Sequence, residues 1–348
     1  MSNRTRTVFL HVGCRKSGTS ALQRGLRTAL DELRAEGVEQ PLVGRGQVLR
    51  GLDADLGRAE RVLDRLAGWI RDSTRPRHLI SLEALAEWSP EATSLVTSAL
   101  AGFDTRLVVT ARPWAVTIPS EWQQRVKARY TGPYDDYVAA VLAPEQAGGP
   151  LSDEVSTFRR RQDLADVVGR WRAGAPDLPV DVVLVPTEPD VRPGLFDLFC
   201  EVTGIDPGVL TPSERGRNES LSHEDAEVLR LVNRALGTRL ADPRGGYRRH
   251  VRRWIAVDTM TGRSTGTRIR LPARWEARAS SEAARQLDEV SAAGCRVWGD
   301  QERFVHPELP GADFVPATDA AVAEAAAVVL AELATQRSTG GEQQPSTT

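Results

Sequence analysis

The apolar residues of this chain form short continuous runs, and the stretches between the runs have helical spacing. The runs lie at 8–12, 78–85, 105–113 and 180–189. A nearly unbroken apolar run is typical of a parallel strand that is covered on both faces. After the first run, Leu22, Leu26, Leu30 and Leu33 recur close to the helical period. Alternating strands and helices predict an α/β fold, with a parallel sheet between two layers of helices.

The same spacing predicts the other helices and the domain organisation. These helices are expected at 89–101, 115–130, 155–173, 194–203, 222–236, 275–293 and 319–335. Residues 143–153, rich in Gly and Pro, are predicted to form a loop, and residues 337–348 a disordered tail. We expect one domain over 1–336, with the sheet and the ligand site in 7–235 and a helical portion in 236–336.

Composition and charge narrow the class of protein. With 41% hydrophobic and 26% charged residues, the chain of 348 residues can bury a full core. The formal net charge of -2 gives no general attraction to nucleic acid, so we expect no nucleic-acid partner. Cys14, Cys200 and Cys295 show no CxxC spacing, which argues against a disulfide framework and a zinc site and favours the cytoplasm.

No segment has the pattern of a targeting signal or a membrane span. The N-terminal residues MSNRTRTVFLHVG lack the apolar centre of a signal peptide, and acidic residues interrupt the alanine-rich stretch 320–333. We therefore expect no integral membrane association.

Lysine is rare in this chain. Of the 45 basic residues, only Lys16 and Lys127 are lysines. An ammonium is a compact point charge, whereas a guanidinium is a planar fork, so these two positions are candidates for a site that needs the ammonium. Chance codon usage is the alternative explanation.

The first strand is followed by a loop suited to an oxyanion. The segment GCRKSGTS, 13–20, leads from a strand through Gly13 and Gly18 into a helix that opens near Thr19. Backbone N–H groups and the helix dipole then converge on one spot, which favours phosphate or sulfate. Lys16 adds a positive charge, and Thr19 and Ser20 add hydroxyl donors. The segment departs from the nucleotide triphosphatase pattern GxxxxGK[ST], because its lysine precedes the second glycine.

This loop resembles the 5'-phosphosulfate-binding loop of sulfotransferases that use 3'-phosphoadenosine 5'-phosphosulfate (PAPS), whose usual form is PK[ST]GT[ST]. Arg15 stands where that family has proline. The resemblance implies a P-loop-like sulfotransferase fold with additional C-terminal helices. It also implies that Arg15, Lys16, Ser17, Gly18, Thr19 and Ser20 bind the donor, that Lys16 acts in catalysis, and that no metal is needed.

A second segment resembles the same family. There, an arginine after a strand and a serine eight residues later hold the 3'-phosphate of the donor, and in LVVTARPWAVTIPSEWQ these are Arg112 and Ser120. An arginine at the end of a parallel strand lies at the edge where α/β sheets bind ligands, and its fork can grip phosphate. A helix start after Arg112 and Pro113 is the alternative reading of this segment alone.

A third resemblance is looser. The segment 215–233 is similar to a late loop and helix of many bacterial members, where a basic residue and an asparagine lie near the donor; Arg217 and Asn218 are the candidates. Alternatively, Ser222 simply caps the next helix.

Transfer to an acceptor also requires a base. Glu83, predicted at the end of the second strand, is the candidate, and Ser81 faces the same side of that strand. Carbohydrate-modifying relatives use a glutamate at about this place. His78 is the fallback base, and His11 is predicted to be a hydrogen-bonded core residue.

Three polar residues share one helical face after the second motif. Gln124 and Lys127 follow Ser120 by four and by seven residues. They are therefore candidates to contact the acceptor or the donor. The resemblance implies a PAPS-dependent sulfotransferase whose acceptor is a small molecule, a glycan or a lipid. The alternatives are a non-catalytic nucleotide-binding protein of the same fold and a P-loop phosphotransferase.

Overall fold

The structure is a computed structural model of the full chain. It describes residues 6–40, 55–147, 153–188, 190–211, 220–240, 245–261, 266–309 and 314–340.

Six parallel strands form one sheet. They are β1 (Thr7–Gly13), β2 (Val38–Glu39), β3 (Arg77–Ser81), β4 (Asp104–Ala111), β5 (Val180–Leu184) and β6 (Arg296–Trp298). Their order across the sheet is β2-β3-β1-β4-β5-β6, and every neighbouring pair is parallel. The predicted α/β class with an all-parallel sheet flanked by helices is confirmed.

The α-helices are α1 (Thr19–Thr28), α2 (Leu30–Ala35), α3 (Leu56–Asp72), α4 (Pro90–Ala99), α5 (Trp114–Val126), α6 (Tyr134–Leu142), α7 (Asp153–Gln162), α8 (Leu164–Gly174), α9 (Leu195–Thr203), α10 (His223–Leu236), α11 (Glu276–Ala292), α12 (Gln301–Val305) and α13 (Asp319–Gly340). Short 3-10 helices span Glu83–Glu87, Pro144–Ala147 and Ala273–Trp275, and a π-helix spans Arg248–Met260.

The sheet buries side chains on both faces. In β1, Val8 and Leu10 belong to a core packed with α3, α4, α8 and α11, whereas Phe9 belongs to a core packed with α1, α2 and α9. Successive strand residues point to opposite faces, so both need apolar cover. This is why β1 reads as a continuous apolar run rather than an alternating one.

The connections that leave the carboxyl ends of β1 and β4 run to opposite sides of the sheet. After β1 the chain continues to β2 and β3 on one side, and after β4 it continues to β5 on the other. Connections that diverge from adjacent strands leave a crevice at their carboxyl ends, where open α/β sheets bind ligands. The loop 13–20 and Arg112 both lie at this edge.

The chain divides into two compact units, where the sequence predicted one domain. The first unit comprises Met1–Thr117, Gly149–Arg215 and Ala277–Pro310, and contains the sheet. The second comprises Ile118–Gly148, Gly216–Glu276 and Gly311–Thr348, in which α10 and the π-helix both contact α13. None of the helices in the described ranges is long and apolar enough to cross a membrane.

The C-terminal third differs from the prediction. The portion 236–336 was expected to be helical, but β6 extends the sheet beside β5, and Leu287 and Val290 of α11 pack in the core. A three-residue strand is too short to leave a periodic signal. α13 continues to Gly340, into the predicted tail, and 341–348 lie outside the described residues.

One predicted helix is split in two, and another ends earlier than expected. The predicted helix 155–173 is two helices, because Asp163 caps α8 by accepting hydrogen bonds from the N–H groups of Ala165 and Asp166. The helix predicted to reach residue 130 ends at Val126, shortly before Arg129 adopts a left-handed conformation with φ 82°.

Two helices and one 3-10 turn were not predicted from the sequence. α6 was missed, as was α3, although Val62, Leu66 and Ile70 recur in α3 at helical spacing. Of the predicted loop 143–153, Pro144–Ala147 form a 3-10 turn and residues 148–152 lie outside the described ranges.

Two glycines of α8 are expected to respond oppositely to alanine. A Cβ at Gly174 would lie 2.8 Å from Ser94 Cα, whereas a Cβ at Gly169, which is exposed, meets no atom of the described chain within 4 Å. Gly174→Ala should lower the free energy of unfolding by about 1–3 kcal/mol, and Gly169→Ala should raise it by about 0.5–1 kcal/mol. Urea unfolding followed by circular dichroism measures both, and shifts of the same sign would contradict this packing.

Candidate functional site

The loop after β1 turns through two left-handed residues. Lys16 has φ 66° and Gly18 has φ 87°, and Gly18 is the N-cap of α1. Among the described residues no side chain caps α1, and the Ala21 N–H donates to Gly18 O at 2.9 Å, so the N–H groups of Thr19 and Ser20 are the ones that can donate to an external acceptor. Backbone turns of this kind form concave anion sites. Lys16 and Ser20 are exposed at this turn, as an anion site requires.

Gly13 and Gly18 are required by close packing. A Cβ at Gly13 would lie 2.9 Å from Thr110 Oγ1 and closer still to Thr19 Oγ1. A Cβ at Gly18 would lie 2.5 Å from Leu195 Cδ2, in a conformation that strains any L-residue. The glycines therefore fix how closely the loop approaches β4 and α9.

A buried polar network lies beneath the loop. Ser17 Oγ lies 2.7 Å from Thr110 Oγ1, and His11 Nε2 lies 3.1 Å from the same hydroxyl. On the other side, His11 Nδ1 lies 2.7 Å from Ser81 Oγ, and Gln23 donates to Ser81 O at 3.0 Å. The network thus links β3, β1 and β4 to the loop and to α1.

Two residues of this network, His11 and Ser17, were the subject of predictions from the sequence. His11 is a hydrogen-bonded core residue, as predicted. Ser17 was predicted to bind the donor, but its hydroxyl is buried against Thr110 and its N–H donates to Cys14 O at 3.2 Å. Ser17 therefore holds the loop in place through its polar groups.

Burial controls the charge state of the groups under the loop. Complete burial lowers the pKa of His11 to about 3, so the imidazole is neutral at physiological pH. Burial also raises the pKa of the Cys14 thiol to about 12, and the negative charges of Asp163 and Glu83 add to the effect. The loop thus rests on uncharged side chains, and the exposed cation is that of Lys16.

Arg15, predicted to contact the donor, pairs within the protein. Its Nε donates to Glu87 Oε1 at 2.7 Å, and Arg161 lies 2.9 Å from the other oxygen. Burial raises the pKa of Glu87, but the two guanidinium groups outweigh it and lower the pKa overall. Gln162 Nε2 also donates to Arg15 O at 2.9 Å. These contacts anchor the turn where the family has proline.

Arg112 and Glu83 follow the two strands that flank β1. Arg112 comes directly after β4, and its Nη2 donates to Pro186 O at 3.3 Å. Glu83 is half-buried and begins a 3-10 helix two residues after β3 ends, rather than ending a strand as predicted. The hydroxyl of Ser81, which was predicted to face the same side of the strand as Glu83, hydrogen-bonds to His11.

The remaining predicted residues are Ser120, Gln124, Lys127, Arg217, Asn218 and His78. Ser120 and Gln124 are half-buried on α5, and Lys127 is buried just after it, all in the second unit. Arg217 and Asn218 lie outside the described residues. The fallback base His78 pairs with Val8 near the start of β3, is fully buried, and has a pKa lowered to about 4, first by burial. His78 is therefore wrong as a base at the carboxyl edge.

The roles of Thr110 and Gln23 were not predicted from the sequence. Thr110 was visible as a hydroxyl within the apolar run LVVTA, but its significance depends on the strand register that puts Gly13 opposite Thr110. Gln23 lies on α1, and nothing in its spacing pointed to Ser81.

Comparisons of the chain with family models, curated proteins and solved structures find no match. Among the residues that the structure describes, no group of three or more His, Cys, Asp or Glu side chains could hold a metal ion. The proposals below therefore rest on the geometry of the site and on the motifs in the sequence.

The buried imidazole should make stability depend on pH. Because the pKa of His11 is lowered from 6.5 to about 3, its contribution is complete above pH 6.5 and is lost as pH falls toward 3. The loss is about 1.4 kcal/mol per pH unit below 6.5. The free energy of unfolding should fall by about 2 kcal/mol less between pH 7 and pH 5 in His11→Gln than in the wild type.

Chemical denaturation at each pH measures this difference. His306→Gln, at a histidine whose side chain is 62% exposed, is the matched control and should follow the wild type. Parallel pH profiles for His11→Gln and the wild type would show that the His11 pKa is the same in the folded and unfolded protein, and would contradict this effect of burial.

Proposed function

We propose that this chain is a sulfotransferase of P-loop-like fold that transfers the sulfuryl group of PAPS to a hydroxyl or amine. The acceptor is a small molecule, a glycan or a lipid. The observation that carries the proposal is the loop 13–20, in which two left-handed residues lead from β1 into the uncapped start of α1. Its sequence follows the phosphosulfate loop of that family except at Arg15.

The chemistry of the loop fits an anionic donor. Lys16 is exposed and carries the cation of the turn, Ser20 adds an exposed hydroxyl, and the N–H groups that open α1 add donors. Thr19 opens the helix, and Gly18 keeps the backbone approachable. In this proposal Arg15 and Ser17 shape the loop through Glu87 and Thr110.

The 3'-phosphate is assigned to Arg112. Arg112 follows β4 at the crevice where the chain reverses direction, next to the loop after β1, so one extended molecule with an anionic group at each end can use both cations. Ser120 is proposed to add a hydroxyl to the same phosphate. Arg217 and Asn218 are proposed to contact the nucleotide, and Gln124 and Lys127 the donor or the acceptor.

Lys16 and Glu83 are proposed to act in the transfer step. The donor supplies a sulfuryl group on a phosphate leaving group. Lys16 neutralises the charge that grows on that phosphate, and Glu83 takes the proton from the acceptor hydroxyl or amine. Glu83 follows β3, which pairs directly with β1, so the base and the loop belong to neighbouring strands.

The donor site is tested by titration with 3'-phosphoadenosine 5'-phosphate. Lys16→Ala and Arg112→Ala should each weaken binding about ten- to a hundredfold, because each removes a charge-assisted hydrogen bond worth about 1.5–3 kcal/mol. Arg27→Ala, an exposed cation near the other end of α1, should bind like the wild type. Calorimetry measures all four proteins.

ATP with magnesium is the competing ligand in this titration. It should bind far more weakly than the 3'-phosphorylated nucleotide, and tighter binding of ATP would favour a phosphotransferase. Absence of binding by either nucleotide would reject a nucleotide site at this edge.

Glu83→Gln tests the base. The change should lower the rate of sulfuryl transfer by about 10²–10⁴-fold and leave nucleotide affinity unchanged, because the amide cannot accept the proton. Glu91→Gln, an exposed carboxylate in the first turn of α4, is the control. Rates are measured with labelled PAPS and a panel of hydroxyl and amine acceptors.

An unchanged rate in Glu83→Gln would remove Glu83 from the mechanism. If the wild type binds the nucleotide but transfers sulfate to no acceptor of the panel, the protein is a non-catalytic nucleotide binder.

A further inference from the structure

A cavity of about 590 Å³ lies beyond the carboxyl ends of β5 and β6. Leu184 ends β5 and Trp298 ends β6, and both line the cavity. Cavities of this size hold small organic molecules, and the carboxyl edge is where open α/β sheets bind ligands. In the strand order, β4 and β5 separate the β6 side of the cavity from the loop after β1. The cavity is therefore a place for a ligand other than the phosphosulfate group.

The walls of the cavity are mainly apolar and include one fixed aromatic ring. Apolar lining comes from Val185, Val191, Leu198 and Phe304, among others. The indole N–H of Trp298 donates to Asp181 Oδ1 at 2.9 Å, and the Arg296 guanidinium stacks 4.6 Å from the ring centre. These contacts orient the indole before any ligand arrives, which lowers the entropic cost of binding.

Carboxylates outnumber arginines around the cavity. Arg192 and Arg303 are the cations of the lining. Arg303 lies 3.5 Å from Asp300 and 4.0 Å from both Glu188 and Glu308. Six carboxylates line the cavity or contact its lining residues: Asp181, Glu188, Asp197, Glu201, Asp300 and Glu308. Four arginines do so, because Arg112 donates to Pro186 O and Arg296 lies over the Trp298 ring. An anionic ligand would be repelled here, and a cationic one attracted.

Glu188 adds a partly buried carboxylate next to the lining of the cavity. Its Oε1 is buried and has no hydrogen-bond partner among the described residues, while Oε2 is 4.0 Å from Arg303. A buried acceptor without a donor is costly, so a ligand or side chain that brings an N–H group to it is stabilised. Glu188 directly follows Thr187 of the lining, so a cationic group at that end of the cavity would be attracted to its carboxylate.

We propose that this cavity is a second small-molecule site, which binds a compound with an aromatic body and an amino group. The apolar walls and Trp298 contact the ring, and the surrounding carboxylates, Glu188 in particular, favour the ammonium. This site does not depend on the proposed sulfotransferase activity.

Matched probes of opposite charge test the site. Tryptamine and indole-3-propionate share one ring system and differ in the charge of the side chain, and both are titrated into the full-length protein by calorimetry. Tryptamine should bind at one site, at least about tenfold more tightly than the carboxylate, because the local charge is negative.

Two variants assign the binding to this cavity. Glu188→Gln should weaken tryptamine about tenfold and leave indole-3-propionate unchanged or bound more tightly. Glu302→Gln, on the same α12 as Arg303 but with its side chain 85% exposed, is the control and should change neither affinity. Val191→Trp should fill the cavity and abolish tryptamine binding, with thermal unfolding used to verify that it folds.

Three results would overturn the inference. They are equal or tighter binding of the carboxylate, unchanged tryptamine affinity in both Glu188→Gln and folded Val191→Trp, and loss of 3'-phosphoadenosine 5'-phosphate binding in Val191→Trp. The last result would assign the cavity to the nucleotide. If the wild type binds tryptamine but not the nucleotide, the second site stands and the sulfotransferase proposal fails.

Discussion

The register of β1 between β3 and β4 is the constraint on which the candidate site depends. It sets His11 opposite Ser81 on one side, and Gly13 opposite Thr110 on the other. The polar network under the loop exists because these residues reach the same level of the sheet. A shift by one residue would turn His11 to the opposite face and replace the hydrogen bonds with apolar contacts.

The loop combines a strained backbone with a charged side chain. A left-handed conformation at a residue with a Cβ is unfavourable, and Lys16 adopts it at the position where the chain turns from sheet to helix. Contacts on both sides of Lys16 hold it there: Arg15 is tied to Glu87 and Gln162, and Ser17 to Thr110. These contacts thus hold Lys16 in a left-handed backbone conformation that is unfavourable for an isolated lysine.

The sequence predicted the local features of the fold better than the pairings between them. Apolar runs predicted β1, β3, β4 and β5, because buried parallel strands leave a continuous signal. β2 and β6 left none, since strands of two and three residues carry no period. At the candidate site, the two glycines, the lysine and a family resemblance pointed to the loop and to Arg112, and their roles stay predictions. The partners of Arg15 and Ser17 could not be predicted, because they are residues more than seventy positions away.

The first unit is assembled from three separate stretches of chain, so its sheet cannot be completed until the last stretch has been synthesised. β6 comes from the last stretch, so one edge of β5 stays open while the intervening second-unit segment, Gly216–Glu276, is made. An unpaired edge is a template for association with other chains. The nascent protein is therefore most exposed to aggregation and chaperone capture in the interval between translation of β5 and emergence of residue 298 from the ribosome.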